Sequence, residues 1–360
     1  MRDAIVFSTW DWDTFNVPER IALALSLRGF RVLYCDMPVS RMRSHGKPLR
    51  QIHDGIHGFG PEYLGEKFDK LPALSRWQWN DVGRQIWKHA TALGMENPIF
   101  LYSHVKHLAP LLRTMHAHGC PLVHICMDYP EAYQYELIAL SDRTLVIPEA
   151  VTYKLRARYG NKIFSIPQSI HFRGPASPAS ARPSQVPEIA NLPQPRLGYL
   201  GPIFGRLNLP LLREVLEIHP DWHFICFGES SAVDLPNVHS MAWRNPNELP
   251  DYVRSFDVGL MPYDCFEEKN LHCVPLKLFD YFAAGLPVVS TPVISLWGYS
   301  ELIYFGETGH DFASAVECAL REPKDSPQRA QRIAVAHEHS TEVLSRRLEE
   351  VLDFETRPGG

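Results

Sequence analysis

The strongest constraint on this chain is a rhythm. Short apolar runs rich in Val, Ile, Leu and Phe alternate with helical patterns through both halves of the 360 residues. Strands separated by helices pair in parallel and need helices on both faces. In the first half the strand-like runs are 4–8, 31–36, 99–103, 122–127, 144–147 and 163–166, with helices near 19–28, 76–93, 107–118, 131–140 and 150–159. The scheme repeats from Leu197 onward.

Residues 171–195 break the rhythm with six prolines and no apolar period. Proline at that density resists helix and central strand alike, so the segment reads as an interdomain linker. The expected organisation is a domain over 1–170, the linker, a second domain over 196–338, and a C-terminal segment 339–360. Within that last segment, 340–354 forms an amphipathic helix. Two Rossmann-like halves are expected to face each other across a cleft, with ligands at the carboxyl ends of the strands.

Bulk properties exclude several classes. A net charge of −5 and a pI near 6.4 give no footing for nucleic acid as a partner. Seven cysteines, odd in number and never in C-x-x-C, read as small buried hydrophobes of a reducing compartment. The apolar run after Met1-Arg2-Asp3 is too short for a signal peptide. No run reaches the ~18 apolar residues of a membrane span. The expected location is cytoplasmic, with peripheral contact at the inner membrane face as an option.

The most informative segment is 274–291, Val-Pro-Leu-Lys-Leu-Phe-Asp-Tyr-Phe-Ala-Ala-Gly-Leu-Pro-Val-Val-Ser-Thr. It reads as a helix opening at Pro275, closed by Gly285 at C′, then a buried strand. That helix is apolar on nearly every side except for Lys277 and Asp280, three residues apart and so on one face. A sugar nucleotide uses both: its diphosphate takes an ammonium, and its ribose diol takes a carboxylate accepting two hydrogen bonds. An ordinary i,i+3 ion pair on an exposed stripe is the competing reading.

The segment resembles the P-x-K-x-x-E-x-x-A-x-G-x-P-V-V signature of GT-B-fold glycosyltransferases. It is most similar to the family-four-like branch of teichuronic-acid and polysaccharide-biosynthesis enzymes. Further blocks match in order over roughly 196–321. They are Gly198-Tyr199-Leu200-Gly201 with Arg206, His219-Pro220-Asp221-Trp222, Leu235-Pro236-Asn237-Val238, Glu248-Leu249-Pro250, and 257–263 (Asp-Val-Gly-Leu-Met-Pro-Tyr). The first 170 residues match more weakly but collinearly.

The resemblance implies the donor-binding set Gly201, Arg206, His272, Lys277, Asp280 and His104. Lys277 and Arg206 would hold the diphosphate, Asp280 the ribose, and the glycines near 201 would let backbone approach phosphate. The helix start near Pro275 adds a positive end. Two departures stand out. Related retaining enzymes carry glutamate eight residues before the second acid, where this chain has His272, and the second acid is itself the shorter Asp280. Glu267 and Glu268 lie just upstream and are alternative partners for the sugar.

In the first domain, the loop after the first strand reads Thr9-Trp10-Asp11-Trp12-Asp13-Thr14-Phe15-Asn16. Trp10 and Trp12 are candidates to stack on an acceptor sugar, and Arg20 on the following helix joins them as acceptor-binding. Asp11 or Asp13 is a candidate base, and Asp128 after the strand 122–127 is another. Either Asp13 or Asp128 would instead serve as a helix cap. Asp11-Trp12-Asp13 is also a D-x-D pattern, but it lies too early in the chain for the metal-binding form. No metal or cofactor is expected.

Three other patterns carry less. His116, His118, Cys120, His124 and Cys126 fit no zinc spacing. Arg41, Arg43, His45, Lys47 and Arg50 form a basic run, either a solvated loop or a contact for anionic lipid aided by Trp77, Trp79 and Trp87. Gly58-Phe59-Gly60 lacks the third glycine of a dinucleotide fingerprint. The expected activity is transfer of a sugar from a nucleoside diphosphate sugar to a glycan or lipid-linked acceptor. The alternatives are a GT-B sugar-nucleotide epimerase or hydrolase, and a non-catalytic sugar-nucleotide-binding partner protein.

Overall fold

The computed structural model describes residues 2–12, 14, 16–103, 105–170, 186–201, 205–228, 233–242, 244, 248–267, 270 and 274–354. It divides into two compact units, Met1–Ser169 with Thr341–Gly360, and Ile170–Ser340.

The first unit contains β1 (Asp3–Phe7), β2 (Arg31–Cys35), β3 (Val39–Ser40), β4 (Arg50–His53) and β5 (Ile56–Phe59). It continues with β6 (Glu62–Tyr63), β7 (Ile99–Tyr102), β8 (Leu122–Cys126), β9 (Arg143–Val146) and β10 (Ile163–Ser165). Eight of these form one sheet in the order β10-β9-β8-β7-β1-β2-β5-β4; β3 and β6 pair separately. Every neighbour in the large sheet is parallel except β4, which turns back antiparallel on β5. Strands β1, β7, β8 and β9 are buried along their whole length, as parallel strands covered on both faces must be.

Its helices are α1 (Val17–Leu27), α2 (Pro72–Ala92), α3 (Ala109–Ala117), α4 (Gln134–Leu140) and α5 (Glu149–Tyr159). Asn16 caps α1 by accepting from the Glu19 N–H at 3.1 Å. Helix α2 starts four residues before the apolar period suggests, because Pro72 supplies a ready-made first turn. The pair β4–β5 has no counterpart in the sequence reading. Its strands join at Asp54-Gly55, where Gly55 has φ +71° and a left-handed turn is required.

The second unit holds β11 (Arg196–Tyr199), β12 (His223–Phe227), β13 (Val238–Met241), β14 (Val258–Met261), β15 (Val288–Ser290) and β16 (Ile303–Phe305). Their order is β13-β12-β11-β14-β15-β16, all parallel. That is the doubly wound order 3-2-1-4-5-6, whose switch point lies between β11 and β14. Its helices are α6 (Pro187–Ala190), α7 (Leu209–Ile218), α8 (Leu249–Val253), α9 (Leu276–Ala283), α10 (Gly309–Leu320) and α11 (Pro327–Glu338).

Residues 171–185 of the expected linker lie outside the described residues. The remainder is structured: Pro187 opens α6, and Val186 and Ile189 enter the second unit's core. The last helix, α12 (Thr341–Val351), belongs to the first unit. Its Leu344, Leu348 and Val351 join Ile21 and Leu25 of α1 in one core cluster. Arg143 on β9 donates to the carbonyl oxygens of Val351 and, at 2.8 Å, Asp353. Among the described residues no helix is long and apolar enough to cross a membrane.

Candidate donor site and family

The second unit's candidate site is built on α9. Pro275 is its N-cap rather than its first helical residue, with φ −69° and ψ 127°. At the far end Gly285 has φ +66°. Its N–H donates to Phe282 O at 2.8 Å and the Leu286 N–H to Tyr281 O at 3.0 Å. Those two bonds are a Schellman closure, which requires the left-handed residue at C′. Leu278, Phe279, Tyr281 and Phe282 are fully buried, whereas Lys277 and Asp280 are half-buried on the remaining side.

Tyr281 fixes the helix to the sheet. Its hydroxyl accepts from the Leu200 N–H at 2.9 Å and donates to Gly198 O at 3.2 Å, tying α9 to the carboxyl end of β11. Burial pushes its phenol well above the ordinary tyrosine range, so it stays a neutral donor. Glycine at 259 makes room for the ring: a Cβ there would lie 2.6 Å from Tyr281 Cδ2.

Anchored this way, α9 delivers Lys277 to the switch point. Its ammonium sits 3.7 Å from the centroid of the Tyr199 ring on β11 and 5.6 Å from that of Tyr263, just past β14. Gly201, at φ +142°, passes directly beneath: a Cβ there would be 3.3 Å from Lys277 Nζ. The cation, the glycine turn and the helix start therefore share one corner of the unit.

Arg206 lies beside this corner. Its carbonyl oxygen accepts from the Asp264 N–H and from Asn270 Nδ2, both at 2.9 Å, and Leu207 bridges to Tyr263. The turn after β11 is thus locked to the loop after β14, and Asn208 caps α7 immediately afterwards. His272, Glu268 and residues 202–204 lie outside the described residues.

In the first unit the corresponding switch point lies between β1 and β7. The loop leaving β1 is held by Asp36, which is fully buried at the end of β2. Asp36 Oδ1 accepts from the Trp12 N–H at 2.8 Å, while Oδ2 meets Lys47 Nζ at 3.1 Å and Arg50 Nη2 at 3.2 Å. Lys47 also pairs with Asp11 at 2.8 Å. The Trp12 ring stands edge-on to Tyr34 with centroids 5.0 Å apart.

Asp36 is a residue the sequence reading passed over; an acid ending an apolar strand was the signal. It also explains part of the basic run. Lys47 and Arg50 brace the tryptophan loop, and Arg41 pairs with Glu62 and Asp81.

The remaining candidates are spread over the first unit. Trp10 is about one-third exposed. Arg20 is buried on α1, where its guanidinium donates to the Ser169 carbonyl. Asp128 is exposed in the turn after β8, its carbonyl oxygen accepting from Cys126 Sγ at 3.3 Å. Asp13 and His104 lie outside the described residues. Of the histidine–cysteine cluster, His118 stacks on Trp87 at 4.2 Å and Cys120 and Cys126 are buried. Burial pushes both thiols up to about 12. Among the described residues no three metal-binding side chains converge.

Residues 195–336 match the family described as Glycosyl transferases group 1. A Bacillus subtilis (strain 168) protein, TuaH, named as a teichuronic acid biosynthesis glycosyltransferase, is 31% identical over 165 residues. That alignment spans 42% of this chain and 41% of the relative, well under half of either.

Among solved structures, a sucrose-phosphate synthase from Thermosynechococcus elongatus superimposes with a TM-score of 0.71 at 12% identity, over 98% of both chains. A trehalose 6-phosphate synthase from Burkholderia multivorans gives 0.68 at 11%, also over 98% of both. The E. coli trehalose-6-phosphate protein bound with UDP-2-fluoro glucose gives 0.64 at 12%, over 98% and 99%. These chains have the GT-B fold of two Rossmann-like domains. The chain thus has the GT-B fold, and its residues 195–336 match the Glycosyl transferases group 1 family.

Proposed function

We propose that this chain transfers a sugar from a nucleoside diphosphate sugar to a glycan or lipid-linked acceptor in polysaccharide or glycoconjugate biosynthesis. The observation that carries the reading is the Lys277 ammonium over the Gly201 turn, with Asp280 one helical turn further along α9. In this reading Lys277 and Arg206 hold the diphosphate and Asp280 accepts from the ribose hydroxyls. The UDP sugar named with one structural neighbour and the teichuronic acid role in the name of TuaH both favour it.

The acceptor hydroxyl attacks the anomeric carbon as the bond to the diphosphate oxygen breaks. Charge growing on the leaving diphosphate is taken up by Lys277, Arg206 and the N-terminus of α9, so no metal ion is required. Asp13 or Asp128 takes the proton lost by the acceptor, and Trp10 and Trp12 stack on its sugar. Arg20, whose guanidinium also donates to the Ser169 carbonyl, is the third acceptor-binding residue of this reading.

A thermal-shift screen against nucleoside diphosphates and their sugars tests the donor assignment. Ligand at a hundred times its Kd stabilises the fold by about 2.7 kcal/mol. Lys277→Ala and Asp280→Ala should each shrink that response without unfolding the free protein. If both variants respond like the parent, the site is elsewhere. Release of free nucleotide with no acceptor present would favour an epimerase or hydrolase. Binding without turnover across a panel of donors and acceptors would favour a non-catalytic partner.

A further inference from the structure

We propose that the first unit docks on an anionic lipid surface through an apolar stripe at the start of α2. Leu71, Leu74 and Trp77 are spaced by three and fall along one side of the helix start. They are 52%, 37% and 45% exposed. Met42, 63% exposed, extends the stripe from the neighbouring turn: Arg41 is bound to Asp81 at 2.7 Å, one helical turn beyond Trp77 on the same side. The fold does not use these side chains for its own core. On α2 that task falls to Trp79, Val82 and Ile86.

The charges around the stripe point to a membrane rather than a protein. Lys67 and Lys70 lie on the 3-10 turn Glu66–Lys70 just before α2, where residues three apart eclipse each other. Arg43 and Arg76 adjoin Met42 and Trp77. These four cations join no ion pair among the described residues.

The nearby acids are mostly engaged. Asp69 Oδ1 accepts from Ser75, Gln78 and Trp79, Asp81 pairs with Arg41 and Arg84, and Glu66 is exposed. A tryptophan and aliphatic stripe flanked along the chain by lysine and arginine fits the boundary of an anionic bilayer. Apolar groups enter the acyl edge while the long cationic stems keep their heads among the headgroups.

The proposal rests on the lipid-linked-acceptor reading for its purpose, but its test needs neither donor nor acceptor. The full chain is sedimented with vesicles of phosphatidylglycerol in phosphatidylcholine, and with phosphatidylcholine alone. Binding is expected only to the anionic vesicles and should weaken as salt rises. The pair Leu74→Ser with Trp77→Ser, and separately Lys67→Glu with Lys70→Glu, should each lower partitioning at least roughly tenfold. Both variants should keep the parent's Tm and thermal response to UDP, which separates this outcome from failure of the donor site.

No binding by the parent, or binding that either variant leaves intact, overturns the proposal. So does a lipid-free dimer dissociated by Leu74→Ser with Trp77→Ser, which would make the stripe a protein interface.

Discussion

The Lys277 ammonium lies 3.7 Å from the centre of the Tyr199 ring, on strand β11 at the unit's switch point. A cation held over an aromatic face keeps its charge, and that charge is what a diphosphate would meet. Such a contact is worth about 0.5–2 kcal/mol. Tyr199→Leu should therefore weaken UDP binding by roughly two- to thirtyfold. Tyr199→Phe should leave it nearly unchanged. Calorimetric titration with UDP checks both, and equal losses for Leu and Phe would contradict this role for the ring.

Tyr281 links stability to the site. Tyr281→Phe removes the acceptor for the Leu200 N–H and the donor to Gly198, leaving buried backbone groups unpaired. The expected cost is about 1–3 kcal/mol, read from urea denaturation. Because the same hydroxyl sets where α9 stands, UDP affinity should fall in that variant even under conditions where it is fully folded.

Gly201 adopts φ +142°, and a Cβ there would press on Lys277 Nζ at 3.3 Å. Gly201→Ala should cost about 1–3 kcal/mol of stability through backbone strain. It should also displace the lysine. The measurement is a UDP titration beside a thermal melt, and loss of affinity beyond the loss of folded protein is the expected signature.

A buried ion pair governs acid stability in the second unit. Arg332 meets Glu322 through two bonds of 2.7 Å and also donates to Leu302 O at 2.9 Å. Burial pushes the Glu322 carboxyl up, but the bonds from Arg332 and Ser326 outweigh it and leave the group below its ordinary range. A depressed carboxylate stabilises the fold above its unfolded pKa, near 4.5, and that contribution disappears as pH falls through the lower folded value. Urea midpoints should accordingly decline below about pH 4.5. Glu322→Gln should flatten that part of the profile. Arg332→Met should cost about 3–5 kcal/mol at neutral pH, since it strands a buried charge.

Asp36 gives the corresponding test in the first unit. Asp36→Ala frees the Trp12 N–H and leaves Lys47 and Arg50 facing each other. A loss of about 1.5–3 kcal/mol is expected, the range for hydrogen bonds to charged groups. With a working acceptor, KM for that acceptor should rise more than kcat falls, because the loop carrying Trp10 and Trp12 loses its tether.

Much of this architecture is legible in the residues themselves. Fully apolar runs such as Ala4-Ile5-Val6-Phe7 and Val258-Gly259-Leu260-Met261 are strands because buried parallel strands need no polar face. Gly285 closes α9 because only glycine reaches that conformation cheaply. The hairpin at Asp54-Gly55 was signalled by its turn dipeptide but hidden by the histidines and glycines around it, which lack the usual β-branched pattern. Pro187 looked like linker, yet proline is as well suited to a first helical turn, and the apolar residues beside it settle the matter.

By itself the sequence determined most of the long elements, the two-unit alternation, and the helix face that carries Lys277 and Asp280. Those features follow from local periods and turn chemistry, which act within a few residues. The tertiary structure alone decided that Tyr199 and Tyr263 flank the lysine and that Asp36 gathers Trp12, Lys47 and Arg50. Such contacts join residues 11 to 78 positions apart, and they exist only because β11 lies beside β14, and β1 beside β2. Strand order is set by the packing of the whole sheet, so no local stretch of sequence encodes it.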